Sequence, residues 1–491
     1  MKNNKQQIAV NSLFILIFLT SLSCSKKALN TQPQPVNVVT PVTPVKSDVA
    51  MWLTKADQSA LLQKQNIALN FSAGSNINTT ITVDTTTTYQ TIDGFGFCLT
   101  GGSASVINAL GAAQQSALLT ELFSTDSTFI GISYLRLSIG ASDLSASDFT
   151  YDDMPQGQTD VNLANFSINP ELTDLIPVLK KIIAINPAIK IIATPWTAPV
   201  WMKLNPIGNS GFTGGNLNTS YYTAYANYFV KYIQAMQAQG ITISAVTPQN
   251  EPRNPNNNPA MVMEAAAEDN FVKNNLGPQF QAAGLSTKII IYDHNTDSIE
   301  YPLSILADPA ASAYVDGSAY HLYAGNITAL TSVHNTYPNK NIYFTEQYTA
   351  TTGSFAGDLS WHVTNLIVGA TTNWSKNVLE WNLATNPSYG PYTNGGCSTC
   401  QGALTINGST ITRNVSYYII AQASKFVRPG AVRISTPSEN TLPNVAFKNT
   451  DGSKVLIVLN SASSPQSFNI QFNGKIVTST LNSGAVATYV W

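Results

Sequence analysis

Two glutamates stand where apolar runs stop. Glu251 lies in "TPQNEP" (247–252), directly after "ITISAV", and Glu346 lies in "NIYFTEQY" (341–348). A proline alone would end a strand, so the Gln-Asn-Glu triplet ahead of Pro252 calls for another purpose. Two carboxyl groups facing each other can split a glycosidic bond. One stays protonated to donate to the leaving oxygen, and the other stays ionised to attack. A separation of roughly 5–5.5 Å serves a retaining reaction, and about 6.5–9.5 Å an inverting one. Taken singly, each has a plainer explanation. Asn-Glu-Pro is a turn, and Glu346 could pair with an arginine or cap a helix. The elements behind the two glutamates decide whether they meet.

Those elements alternate. Short β-branched or apolar runs occupy 89–97, 132–140, 189–196, 241–251, 288–295, 316–323, 341–348 and 377–384. Helix-like segments separate them, such as "YYTAYANYFVKYIQAMQAQG", whose apolar and aromatic face ends at Gly240. Eight strands alternating with helices over about 300 residues predict a (β/α)8 barrel, in which strands four and seven face each other across the mouth. A doubly wound sheet would carry a G-x-G-x-x-G turn after its first strand, and "GFGFCLTGG" lacks that spacing. Barrel chemistry collects at the strand ends. These ends read Gly94, Arg136, Trp196, Asn250, Glu251, Asp293 with His294, His321, Tyr323, Glu346, Glu380 and Trp381. Glu380 points away from Trp381 by strand alternation and reads as structural, and Asp293 and His294 read as supports of the mouth.

After "YYIIAQASKFV" the pattern becomes antiparallel. Asp451-Gly452 and Asn473-Gly474 sit between alternating runs, the strongest short hairpin signal. The expected organisation is an export signal over 1–24, a Pro/Thr-rich tether over 25–48 and strands over 49–88. The barrel follows over 89–430 and a β-sandwich over 431–491, which the 49–88 strands join.

Several motifs together, "QTIDGFG", "YLRLSIGASDLS", "ATPWTAPVWMK", "TPQNEP", "YHLY", "FTEQY" and "EWNLATNPSYGPY", resemble family 30 glycoside hydrolases from about residue 50 to the C-terminus. The resemblance implies a barrel with a β-sandwich side domain and a retaining two-step mechanism. Glu251 would be the acid/base, Glu346 the nucleophile, and Asn250 the partner of the sugar 2-hydroxyl. Arg136, Asp143, Trp196, His321, Tyr323 and Trp381 would line the first sugar subsite, the two tryptophans as platforms for a pyranose. The family spans glucosylceramidases, β-1,6-glucanases, β-glucosidases, β-xylosidases and xylanases. The stretch after strand eight looks like the glucose-directed branch, so the expected substrate is a β-1,6-glucan cut internally, with exo-acting β-glucosidase as the alternative. No cofactor or metal is implied.

Composition supports the frame and closes other routes. The chain has 491 residues, 44% hydrophobic and 11% charged, with a net charge of −2 and no basic block, so it offers no surface for nucleic acid. Its histidines form no H-x-H pair, and Lys190, Lys288 and Lys340 start strands rather than projecting from their middles. This argues against metal-dependent and Schiff-base barrels; a glycan-binding protein without turnover stays open. Lys2 and Lys5, the run "IAVNSLFILIFLT" and "SLSC" read as a bacterial lipoprotein signal with lipid on Cys24, the only membrane attachment expected. Ser21 stands where a lipobox usually has leucine. The expected location is therefore the cell envelope, periplasmic or surface-facing. Cys98 reads as a buried hydrophobe. Cys397 and Cys400 are close enough to pair, and a zinc site would need two further ligands. If paired, they staple the 385–406 loop beside the sugar site.

Overall fold

The computed structural model describes residues 45–491. The signal, Cys24 and nearly all of the tether lie outside those residues. The barrel closes through eight parallel strands, Gly94–Cys98, Tyr134–Ser138, Lys190–Thr194, Ala245–Val246, Lys288–Asn295, Val315–His321, Asn341–Glu346 and Ser375–Asn382. All eight runs seen in the sequence contribute a strand, with two differences. The 89–97 run is two strands: Asp84–Thr91 pairs with Val432–Ser435 in the sandwich, and the chain turns at Ile92–Asp93 to start the barrel. Gly94 therefore opens strand one instead of ending it. The fourth strand is only Ala245–Val246, because Pro248 cannot donate to a ladder and the chain leaves the sheet as loop after Thr247, whose N–H still reaches the Ala193 carbonyl.

The barrel interior is built in steps of two residues, the period of a strand. One layer is apolar: Tyr134, Ile192, Ala245, Ile290, Ala319, Tyr343 and Leu379. Two residues further along most of these strands come Arg136, Thr194, Thr247, His321, Thr345 and Trp381. Above a packed floor the same alternation thus delivers a polar layer at the mouth. Strand five breaks the count. Tyr292 and Asp293 have φ of 78° and 60°, and the pairing with strand six slips between Tyr292 and His294. That bulge brings Asp293 into the polar layer and His294 beside it.

Outside the strands, helices bury their apolar stripes. Tyr222–Ala238 packs Tyr225, Tyr228, Phe229, Tyr232 and Met236 inward and ends at Gly240, whose φ is 79°. The sandwich joins both ends of the described chain. Ala50–Thr54 pairs antiparallel with Val486–Val490 in a seven-stranded sheet, and Thr79–Thr82 pairs with Gln466–Phe472 in a three-stranded one. Between the sheets lie Ile81, Leu456, Val458, Phe468, Ile470 and Tyr489. Asn473 and Gly474, with φ of 49° and 73°, form the two-residue turn joining Gln466–Phe472 to Lys475–Leu481.

Candidate active site

Arg136 is the hub. Fully buried in strand two, its guanidinium donates to Glu346 Oε2 at 2.5 Å, Asn250 Oδ1 at 2.7 Å and Asp293 Oδ2 at 2.8 Å. A buried cation is tolerated only when paired in this way. Asp293 is saturated by donors: Arg136, Thr247 and Thr345 hydroxyls at 2.8 and 2.6 Å, and His321 Nε2 at 3.2 Å. Burial raises its pKa, but the charges of Arg136 and His321 and these bonds win and hold it well below the usual carboxylate range. Asp293 is the anchor of the site, a larger part than the sequence assigned it. An acid inside the apolar run "KIIIYDHN" was the available signal.

The two glutamates meet across one imidazole. His321 Nδ1 is 3.3 Å from Glu251 Oε1 and 3.8 Å from Glu346 Oε1. Glu346 Oε1 also accepts from Tyr323 OH at 2.9 Å, so Arg136 and Tyr323 grip one oxygen each. Burial leads in raising the Glu346 pKa, against the opposing charges of His321 and Arg136. Glu251 has φ of 44°, a left-handed conformation held by its N–H on the Asp293 carbonyl at 3.0 Å and by Asn254 Nδ2 on Oε2 at 2.7 Å. Burial pushes Glu251 up, yet the His321 bond and charge, with His294 and Asn254, bring it down to about 2. Burial likewise opposes charge on His321, but the Glu346 carboxylate and the bonds to Asp293 and Glu251 raise it to about 9. In the substrate-free site the shared proton therefore rests on His321.

Three residues expected to line the sugar stand differently. His321 has no exposed surface, and both its nitrogens face carboxylates. It organises the two glutamates and offers nothing to a sugar. Trp196 and Trp381 are 1% and 3% exposed, with centroids 5.3 Å apart and Arg136 lying 4.9 and 5.7 Å over them. Neither ring has an open face for a pyranose. Trp196 instead leaves its Nε1–H buried without a partner, as Asp143 leaves Oδ1 and Asn382, the last residue of strand eight, leaves both amide atoms. Orphaned polar groups of this kind in a native interior call for a partner. Asn382 went unread because a lone amide beside Trp381 carries no sequence signal. Tyr323, the most open of the set, packs against Tyr348 at 5.4 Å. Glu380 turns away to His362 at 2.7 Å, as alternation required. Cys397 and Cys400 form a disulfide that packs with Leu144, Trp196 and Trp381, and Cys98 is free and buried.

A closed eight-strand barrel with paired glutamates at its mouth, joined to a two-sheet sandwich, is the architecture of a glycoside hydrolase. Residues 92–427 match the glycosyl hydrolase family 30 TIM-barrel domain and residues 430–489 the family 30 beta sandwich domain. The chain belongs to glycosyl hydrolase family 30. It is 38% identical over 405 residues to an endo-1,6-beta-D-glucanase of Neurospora crassa, covering 79% of this chain and 82% of that one. To the lysosomal acid glucosylceramidase of Mus musculus it is 29% identical over 431 residues, covering 82% and 81%. The solved structure of the endo-beta1,6-glucanase BT3312 superposes with a TM-score of 0.84 at 40% identity, covering 91% of this chain and 99% of that one.

Proposed function

We propose that this hydrolase is a retaining endo-β-1,6-glucanase, with Glu346 as nucleophile and Glu251 as acid/base. The observation that carries the roles is the asymmetry of their partners. Arg136 and Tyr323 fix both Glu346 oxygens and aim a carboxylate into the mouth. Glu251 instead faces the proton on His321. In the first step Glu346 attacks the anomeric carbon while the proton held on His321 passes through Glu251 to the departing oxygen. As Glu346 becomes a neutral ester, the leading influence that holds the proton on His321 disappears. In the second step Glu251 takes a proton from water, which attacks the ester and frees Glu346. Asn250 gives its Oδ1 to Arg136, which leaves its Nδ2–H2 to donate to the neighbouring sugar hydroxyl. Bonds to that hydroxyl tighten in the transition state. The choice of β-1,6-glucan is supported by relatives at 36–40% identity whose names carry that activity.

The test is digestion of β-1,6-glucan alongside other β-glycans, with products resolved by size. A ladder of β-1,6-oligosaccharides is expected, and Glu346→Gln lowers turnover by about 10³-fold or more. Glucose as sole product would make the enzyme exo-acting, and binding without turnover by the unaltered protein would remove the hydrolase reading. We propose further that the chain is exported and tethered through lipid on Cys24, supported by the signal pattern ahead of it. Palmitate label should enter the wild type and not Cys24→Ser; equal labelling would refute the anchor.

A further inference from the structure

The acid/base carboxylate has one histidine neighbour that the proposed hydrolysis does not use. His294 stands beside Glu251, its Nδ1 3.9 Å from Oε1, and that nitrogen is buried with no hydrogen-bond partner. His321 Nδ1 approaches the same Oε1 at 3.3 Å. The three donor atoms lie within 4.8 Å of one another. Tetrahedral zinc, with bonds of about 2.0–2.2 Å, sets its donors about 3.3–3.5 Å apart, so the His294 ring closes the set by turning toward Glu251 and His321 through roughly 1 Å.

The supporting contacts suit a metal as well. Asp293 Oδ1 faces His321 Nε2 at 3.2 Å, which keeps an N–H there and leaves Nδ1 as the nitrogen that binds an ion once its proton is displaced. A carboxylate behind a ligating imidazole is the usual way such a ligand is oriented. Asn254 Nδ2 holds the other oxygen of Glu251 at 2.7 Å and leaves Oε1 for a ligand. Glu346, Asp293 and Glu251 surround Arg136 and His321, so the mouth favours an added positive charge.

We propose that Glu251, His294 and His321 form a binding site for a borderline-soft divalent cation, zinc above all, and that its occupancy switches the hydrolase off. The ion takes Oε1 of Glu251 and one nitrogen from each histidine, with water in its fourth position. The proton between His321 and Glu251 leaves to solvent. A metal-bound Oε1 cannot carry a proton to the leaving oxygen, so glycosyl transfer to Glu346 stops at its first step. The bulge at Tyr292–Asp293 makes the site possible, because regular alternation from Ile290 would turn Asp293 outward and leave His321 without the carboxylate behind it. Inhibition rests on the acid/base role proposed for Glu251; binding does not.

The experiment is calorimetric titration of zinc chloride into the purified protein in a non-chelating buffer, with no glycan present. One saturable site of micromolar affinity is expected, weakened about tenfold or more in His294→Gln, whose fold is checked by its melting temperature. Zinc anomalous scattering should place one ion between the three side chains. A titration of β-1,6-glucan hydrolysis should then show inhibition with the same midpoint, reversed by EDTA. No saturable binding below 1 mM, or equal affinity in His294→Gln, or an ion located elsewhere, would each overturn the site. Zinc binding by a protein that leaves β-1,6-glucan intact would instead refute the substrate assignment and leave the metal site standing.

Discussion

Asp143 shows how one buried group can serve by being neutral. It is 5% exposed, with Oδ1 unpartnered. Burial, then the charges of Glu346 and Glu251, push its pKa up to about 8. Near pH 6 the group is therefore a carboxylic acid that can both donate to and accept from a sugar hydroxyl. Asn has the same shape and both capacities; Ala has neither. Asp143→Asn should keep kcat/KM at pH 6 within about tenfold of wild type, while Asp143→Ala loses about 100-fold or more by leaving a bound hydroxyl unpaired. Above pH 8 the wild type ionises beside two carboxylates, so its KM should climb with pH where that of Asp143→Asn stays flat. Equal damage from Asn and Ala at pH 6 would show that the charged form binds. The charged centres of the site were legible in the sequence because a charge at the end of an apolar run, as at Glu251, Glu346 and Arg136, is too costly to be incidental. The parts played by Trp196 and His321 were not, since which face stays open depends on neighbours from other strands.

The bulge in strand five needs a support, and Glu268 on the helix Ala265–Phe271 provides it. Glu268 Oε1 accepts the Tyr292 N–H at 3.1 Å, and Oε2 lies 2.6 Å from Tyr301 OH. Tyr301 has a single proton and also faces the Met263 carbonyl. Both contacts are satisfied if Glu268 is protonated and donates to Tyr301, which donates onward. Burial agrees, raising the Glu268 pKa to about 7 against the bonds from Tyr301 and Tyr292. The folded state thus holds a proton that the unfolded chain releases at its ordinary value of 4.5. This group's contribution is full below pH 4.5 and is lost as pH rises through 7, so stability falls across that window. Glu268→Gln reproduces the protonated pattern and should raise the melting temperature at pH 8, by the equivalent of about 1–3 kcal/mol, with little change at pH 4.5. A gain of equal size at both pH values, or a loss at pH 8, would contradict a buried protonated acid. The bulge itself had no signature in "KIIIYDHN", where Asp293 marks a charge at the end of the apolar run but not the slip in pairing that turns it inward. The eight strands were legible because, buried on both faces, they read as short apolar or β-branched runs between helix-like segments. The short fourth strand and the divided first were not, since pairing partners, and not propensity, set where those strands stop.

Barrel and sandwich share their connections closely enough to stand or fall together. The first described strand, Ala50–Thr54, lies beside the last, Val486–Val490, so the whole barrel is inserted between neighbours in one sheet. Gln422, buried on the helix Val415–Ser424 of the barrel, reaches both. Its Nε2 donates to Thr54 Oγ1 at 2.8 Å, and Thr488 Oγ1 lies 2.6 Å from its Oε1 and 2.8 Å from its carbonyl. Gln90, from the sandwich strand, donates to the carbonyls of Thr371 and Ser375 at 2.6 and 2.9 Å, and Trp52 packs on Phe426 at 4.6 Å. Independent domains would be joined by a polar, water-accessible face; here the junction is apolar and its polar atoms are paired inside it. The barrel therefore cannot lose the sandwich without exposing core, and neither half should populate a folded state alone. Scanning calorimetry should show one unfolding transition with equal calorimetric and van't Hoff enthalpies. Gln422→Ala removes the side-chain bonds to Thr54 and Thr488 from a buried junction, costs about 1–3 kcal/mol, and should shift that single peak downward without dividing it. Two resolved peaks in the wild type, or a Gln422→Ala peak that moves for one half only, would mean that the shared sheet joins two bodies that fold separately.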